Sequence, residues 1–138
     1  MKVFISHAHE EEDQAVVRRI AEGLRSAGLD VWYDEWEIWP GENFAGKISH
    51  ALDESQAMVV VITPNSLRSP WVRREIEYAL GRESYSGRLV PVIAGRREDI
   101  PDDQIPWILK RLRMVVLADA EREAEGIQEI AAALSKAS

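Results

Sequence analysis

Two groups of residues in this chain have the types and spacing that chemistry needs. The first follows Ser69-Pro70. Trp71, Glu75 and Tyr78 are four and three residues apart, and at about 100° per residue that spacing places them on one helical face. The face borders a predicted apolar stripe of Val72, Ile76, Ala79 and Leu80. A carboxyl group one turn into a helix, beside a large aromatic ring, is placed for a raised pKa or for aiming charge into a cleft. The same pattern accommodates a solvated Glu75 paired with Arg74 or Arg82. The second group is His7-Ala8-His9, followed by Glu10 and Glu11. His-x-His after a first strand opens many metal hydrolase sites, which also need several further His or Asp ligands. Only His50 remains among the histidines, inside a predicted helix. No metal is therefore expected, and His7 and His9 read as two loop histidines beside a polar cleft.

A third segment, Asp34–Phe44 (DEWEIWPGENF), is unusually rich in apolar and aromatic residues for a loop, with Trp36, Ile38, Trp39 and Phe44. Pro40-Gly41 marks a turn within it. Exposed, these side chains would form a ligand lid or a protein-contact surface. Alternatively, one or both tryptophans fold back on the core.

Several chemistries are excluded by motif. No G-x-G-x-x-G follows the first strand, and there is no G-x-x-x-x-G-K-[ST] or G-x-S-x-G. A phospho-accepting receiver would need acidic residues after the first strand and an Asp after the third. Those places read FISH and VVVITPNS. The pairs Arg18-Arg19, Arg73-Arg74 and Arg96-Arg97 are scattered, as on solvated faces rather than a nucleic-acid track.

The elements that must position these groups alternate between short apolar runs and helical periods. Strands are predicted at Val3–Ser6, Leu29–Tyr33, Ala57–Thr63, Leu89–Ile93 and Met114–Leu117. Ala57–Thr63 (AMVVVIT) is apolar on both faces, as a central parallel strand covered by helices must be. Helices are predicted from about Glu10 to Gly28, through Phe44, Ile48, Ala51 and Leu52, and from Ser69-Pro70 to about Ser84. A short one near Trp107 and a closing one through Ile127, Ile130, Ala131 and Leu134 complete the set. Asp34–Asn43 and Pro64–Ser69 are read as loops. The β-α alternation predicts an α/β three-layer sandwich around a five-stranded parallel sheet, flavodoxin-like, in the order 2-1-3-4-5. Ligands of such sheets bind at the carboxyl ends of the strands. All the groups singled out above fall there.

The chain of 138 residues has 24 Asp+Glu against 17 Lys+Arg, a formal net charge of −7 and no cysteine. Disulfides, thiol nucleophiles and Cys-based zinc sites are excluded, and an acidic balance argues against nucleic acid as a partner. The start MKVFISHAHE turns polar too early for a signal peptide, and no apolar run reaches spanning length. A single domain, 1–138, without membrane association and in the cytoplasm is expected.

In order, FISHAHEEE, VWYDEWEIWPGENF, ISHALDESQAMVVVITPNSLRSPWVRREI and LVPVIAG resemble a Toll/interleukin-1 receptor (TIR) domain of the bacterial type, over nearly the whole chain. The NAD⁺-cleaving branch of that family carries a glutamate early in the third helix, often as W-x-x-x-E, and Trp71-Val-Arg-Arg-Glu75 matches it. The resemblance implies that Glu75 is the catalytic carboxylate and that Trp71 lines the pocket. It places His7 and His9 beside the ribose and phosphates. It also assigns Asp34, Ile38, Trp39, Gly41 and Phe44 to a loop that covers the substrate and contacts a neighbouring subunit. The implied activity is NAD⁺ hydrolysis or cyclisation, giving nicotinamide with ADP-ribose or a cyclic isomer, with NAD⁺ as substrate and no cofactor. The implied setting is prokaryotic immune signalling, or an effector secreted into a host cell, with self-association and a separate sensor or effector protein as partners. The alternative is a non-catalytic TIR module that acts only by association. Arg96 and backbone N–H groups are further candidate donors for a pyrophosphate.

Overall fold

Alternation along the strands decides which side chains meet which helices. In the computed structural model, which describes residues 1–137, β1 (Lys2–Ser6), β2 (Asp30–Trp32), β3 (Ala57–Ile62), β4 (Leu89–Ala94) and β5 (Val115–Leu117) form one sheet. Every neighbouring pair is parallel, in the order β2-β1-β3-β4-β5. The expected architecture and strand order are therefore those observed. Val3, Ile5, Val59, Val61 and Val92 point to one face and pack with α1 (Glu11–Ser26) and α7 (Ala120–Ala137). Phe4, Met58, Val60, Ile62 and Ile93 point to the other and pack with α3 (Phe44–Glu54), α5 (Pro70–Leu80) and α6 (Trp107–Lys110). Ser6 shares the parity of Phe4, so the last side chain of β1 faces α5.

All six residues of β3 are buried, in keeping with its central place between two helical layers. The two segments read as loops each contain one helical turn. In α2 (Asp34–Glu37), the Asp34 side chain accepts the Glu35 N–H at 3.0 Å. In α4 (Pro64–Leu67), Thr63 and Ser66 form a reciprocal capping box with Pro64 in the first turn, an arrangement that satisfies two otherwise orphaned backbone donors. The third long helix stops at Leu80 rather than Ser84, with Gly81 as its cap and a 3-10 turn at Glu83–Tyr85. Leu80 is exposed, while Val72, Glu75, Ile76 and Ala79 are buried. The apolar face of α5 is thus rotated from its expected position and takes Glu75 into it. Gly41 has φ +88°, as the Pro40-Gly41 turn requires.

Thr63 also anchors the carboxyl end of β3 to α1. Its hydroxyl donates to the buried Asp13 carboxylate at 2.7 Å and accepts the Ser66 N–H at 3.1 Å. Thr63→Ala removes a cap and a donor to a buried carboxylate together. It is expected to cost about 2 kcal/mol in urea denaturation, and Thr63→Ser should recover most of that. Equal stability of the alanine variant and the native protein would show that Asp13 does not depend on this bond.

Candidate active site

The carboxyl ends of β1, β2 and β3 open toward one corner of the molecule, and α5 lies over it. Glu75 leaves the second turn of α5 and is only 4% exposed. Ser6, at the end of β1, donates to Glu75 Oε1 at 2.7 Å across 69 residues of sequence. Burial pushes the Glu75 carboxyl up to about 7, against the lowering effects of the Ser6 hydrogen bond and the nearby His7 and His9. Arg74 lies over the Trp71 ring instead, and Arg82 pairs with Asp53 and the Tyr78 hydroxyl. The reading of Glu75 as a solvated partner of either arginine is therefore wrong. A polar residue at the edge of an apolar stripe becomes part of that stripe once the helix rotates slightly.

Asp34, the first residue after Tyr33, stands between the two histidines. His7 Nε2 lies 2.8 Å from Asp34 Oδ1 and His9 Nε2 lies 2.5 Å from Oδ2. His7 Nδ1 also meets the Ala8 carbonyl at 2.9 Å. Both partners of His7 are oxygens, so with Asp34 ionised both ring nitrogens are placed to donate, which favours the imidazolium. Burial opposes that charge, but the hydrogen bond and charge of Asp34 outweigh it and raise the His7 pKa. For Asp34, burial likewise favours the neutral acid, but the bonds from His7 and His9 override it and hold the carboxyl far below its usual range.

A run of ring contacts continues from this pair. His7 packs at 5.5 Å on Tyr33 and at 4.8 Å on His9; His9 meets Phe44 edge-on at 5.3 Å, and Phe44 meets Trp71 at 5.8 Å. The recess they enclose is lined by Phe4, Ile5, His7, His9, Trp32, Asp34, Ile48 and Glu75, and leaves no room for a water-sized molecule. A much larger open groove of about 740 Å³ lies at the opposite, amino-terminal ends of β4 and β5. Its lining contains no buried carboxylate, so the small recess is the chemically equipped one.

Of the residues singled out from sequence, His7, His9, Asp34 and Glu75 converge on the recess, with Phe44 and Trp71 at its lip. Ile38 is partly buried against the α3–α5 core. Trp39 is 71% exposed and Gly41 is also exposed, and neither lines the recess. Trp36, by contrast, folds back against Tyr33 at 5.2 Å under the Arg25 guanidinium. The two loop tryptophans therefore divide between the two readings. Tyr78 turns away to Asp53 and Tyr85. Arg96 is exposed and meets Glu98 and Asp99, outside the recess. Ser6 was not singled out; its signal is a lone hydroxyl closing the apolar run VFI at a strand's carboxyl end.

Comparison with known proteins places this geometry in context. The family model described as a TIR domain matches residues 3–131. The 2' cyclic ADP-D-ribose synthase BtTIR of Bacteroides thetaiotaomicron is 36% identical over 87 residues, covering 63% of this chain and 30% of that protein. The NAD(+) hydrolase TcpA of Theionarchaea archaeon (strain DG-70-1) is 35% identical over 100 residues, covering 71% of this chain and 30% of that protein. Among solved structures, a metazoan TIR-STING receptor from C. gigas, in complex with 2',3'-cGAMP, superposes with a TM-score of 0.77 at 27% identity. The match covers 96% of this chain and 39% of that one. The chain thus spans about 30% of the length of these two curated relatives. Among the described residues, no helix is long and apolar enough to cross a membrane.

Burial of Glu75 has a consequence for stability. The folded protein keeps the proton up to about 7, whereas an unperturbed glutamate releases it near 4.5. Its favourable contribution is complete below the lower value and is lost as pH rises through the upper one. Glu75→Gln should therefore gain stability relative to the native protein across that window, levelling at about 3 kcal/mol above it. Denaturant midpoints measured across pH test this, and a difference that does not vary with pH would overturn it.

Proposed function

The chain belongs to the TIR domain family, and from that premise we propose that it cleaves the nicotinamide N-glycosidic bond of NAD⁺ with Glu75 as the catalytic carboxylate. The observation that carries this reading is a single buried carboxyl at the strand ends, aligned by Ser6 and enclosed by aromatic rings. The names of BtTIR and TcpA, a cyclic ADP-ribose synthase and an NAD(+) hydrolase, support it.

One carboxylate suffices for this bond. Most glycosidases need a general acid to protonate a leaving oxygen. The nicotinamide of NAD⁺ is already a cationic pyridinium and takes the bonding electron pair away as a neutral molecule. Positive charge is left on the anomeric carbon and ring oxygen of the ribose. Glu75, ionised, stabilises that charge and accepts hydrogen bonds from the ribose hydroxyls in a water-poor recess, where such an interaction is strongest. Attack by water then gives ADP-ribose and releases a proton. Attack by a nucleophile of the same molecule gives a cyclic isomer. No cofactor takes part in either route.

Asp34 serves as the fixed counter-charge, orienting His7 within the wall and His9 at the mouth, where its exposed edge meets a phosphate. The recess as it stands has no room for a small molecule, whereas small-molecule sites begin at roughly 300 Å³. The loop carrying Ile38, Trp39, Gly41 and Phe44 therefore swings aside to admit NAD⁺ and returns as its cover. The exposed Trp39 supports self-association of TIR domains through the same loop, with prokaryotic defence signalling or effector action as the setting. A purely associative role rests on that tryptophan alone. Under it, Trp39→Ala abolishes self-binding, Glu75→Ala leaves self-binding intact, and no nicotinamide forms in any assembly state.

With NAD⁺ and a high protein concentration, Glu75→Ala is expected to lower nicotinamide release about 10²–10³-fold. Release by the native protein should rise as pH increases through about 7, because the carboxylate is the active form. Ser6→Ala should move that midpoint upward. Release undiminished in Glu75→Ala sinks the assignment of the carboxylate.

A further inference from the structure

We infer that His7, His9 and Asp34 form a binding site for one divalent transition-metal ion of the zinc class, and that the ion would plug the Glu75 recess. Sequence spacing left the two histidines without a third ligand. The fold supplies it from the start of α2, because parallel pairing of β1 and β2 brings residue 34 beside residues 7 and 9. One ligand atom from each of the three residues lies within 4.8 Å of the other two. The two nitrogen–oxygen separations are 2.8 and 2.5 Å. Metal bonds of 2.0–2.1 Å at tetrahedral angles need ligand atoms about 3.3 Å apart, inside the range spanned here. His9, on the exposed loop, needs only a small outward rotation to open the triangle.

The chemistry of the set is specific. Two imidazoles and one carboxylate suit Zn²⁺, Co²⁺ and related ions, and leave a coordination position open. The two buried ligands also carry the outer hydrogen bonds that such sites use to fix ligand orientation. His7 Nδ1 is held by the Ala8 carbonyl, which leaves Nε2 as the ligand nitrogen, and Asp34 Oδ1 accepts the Glu35 N–H. On binding, His7 gives its Nε2 proton to solvent and keeps the one on Nδ1, His9 takes the Nδ1–H tautomer, and both rings turn an Nε2 lone pair to the metal. His50 has none of this support: it is exposed and pairs only with Glu54 one turn along its own helix.

The site shares its wall with Glu75, so an ion there occupies the mouth of the recess that the proposed reaction requires. Metal binding itself does not depend on that reaction. Only the inhibition does, which keeps the two readings separable.

The test is Co²⁺ titration of the purified chain in mildly alkaline buffer without chelators, followed by visible ligand-field absorption and equilibrium dialysis. One Co²⁺ per chain, with the absorption of a low-coordinate site displaced by Zn²⁺, is expected. His9→Ala should weaken uptake at least about tenfold, and His50→Ala should leave it unchanged. Asp34→Asn serves as the second ligand variant, with circular dichroism reporting the folded state of each. Absence of Co²⁺ uptake by the folded native chain, or uptake lost in His50→Ala but kept in folded His9→Ala, overturns the site. If uptake is as expected, Zn²⁺ should also suppress nicotinamide release by the native chain. Uptake without such suppression overturns the plug and leaves the metal site standing.

Discussion

The carboxylate of Asp34 is buried where a charge costs several kcal/mol to place, and the layout of the whole corner follows from how that cost is met. Two imidazole N–H groups and the Glu35 N–H converge on its two oxygens. The arrangement joins the turn after β1 to the start of α2. It also favours a second proton on His7, whose remaining nitrogen is committed to the Ala8 carbonyl. His9, pinned on the outer oxygen, sets the place of Phe44, and Phe44 sets that of Trp71. Remove the charge at Asp34 and the aromatic wall around Glu75 loses its fixed point.

Two carboxyl groups thus share one corner and are pushed in opposite directions. Asp34 is ringed by donors and stays ionised; Glu75 has one hydroxyl partner and an apolar helix face, and its pKa rises. Such divergence between neighbouring titratable groups is how a site acquires distinct roles from like chemistry. It also bears on the net charge of −7. Arg18, Arg19, Arg82, Arg97 and Lys110 all meet acidic partners, so the charge of these five is met locally, and at the recess itself the cationic side chains are the histidines.

Much of the fold was legible because it rests on local pattern. An unbroken apolar run over β3 and the alternation of strands and helices suffice for the sheet order, and W-x-x-x-E suffices to single out Glu75. The details of the site were not legible because they are contacts between distant residues. Ser6 reaches Glu75 across 69 positions and Asp34 reaches the histidines across 27 and 25, and no helical or strand period encodes such pairs. The single turns α2 and α4 read as loops for a related reason: each is four residues long, too short to show a repeated apolar spacing. The burial of Glu75 lay within reach of the periodicity, but its placement depended on which side of the stripe Leu80 fell.

The 38–44 segment joins these strands of the problem. Phe44 is both the first residue of α3 and a ring at the lip of the recess, while Trp39, five residues earlier, has no part in it. The Asn43 cap on the Gly46 N–H and the Glu42 bond to the Trp39 N–H tie the two ends of the turn separately. Between them lies Gly41 at φ +88°, open on all sides to an added side chain. One short segment therefore presents an exposed ring on its outer side and, tied by a separate bond, a ring that borders the Glu75 recess on its inner side.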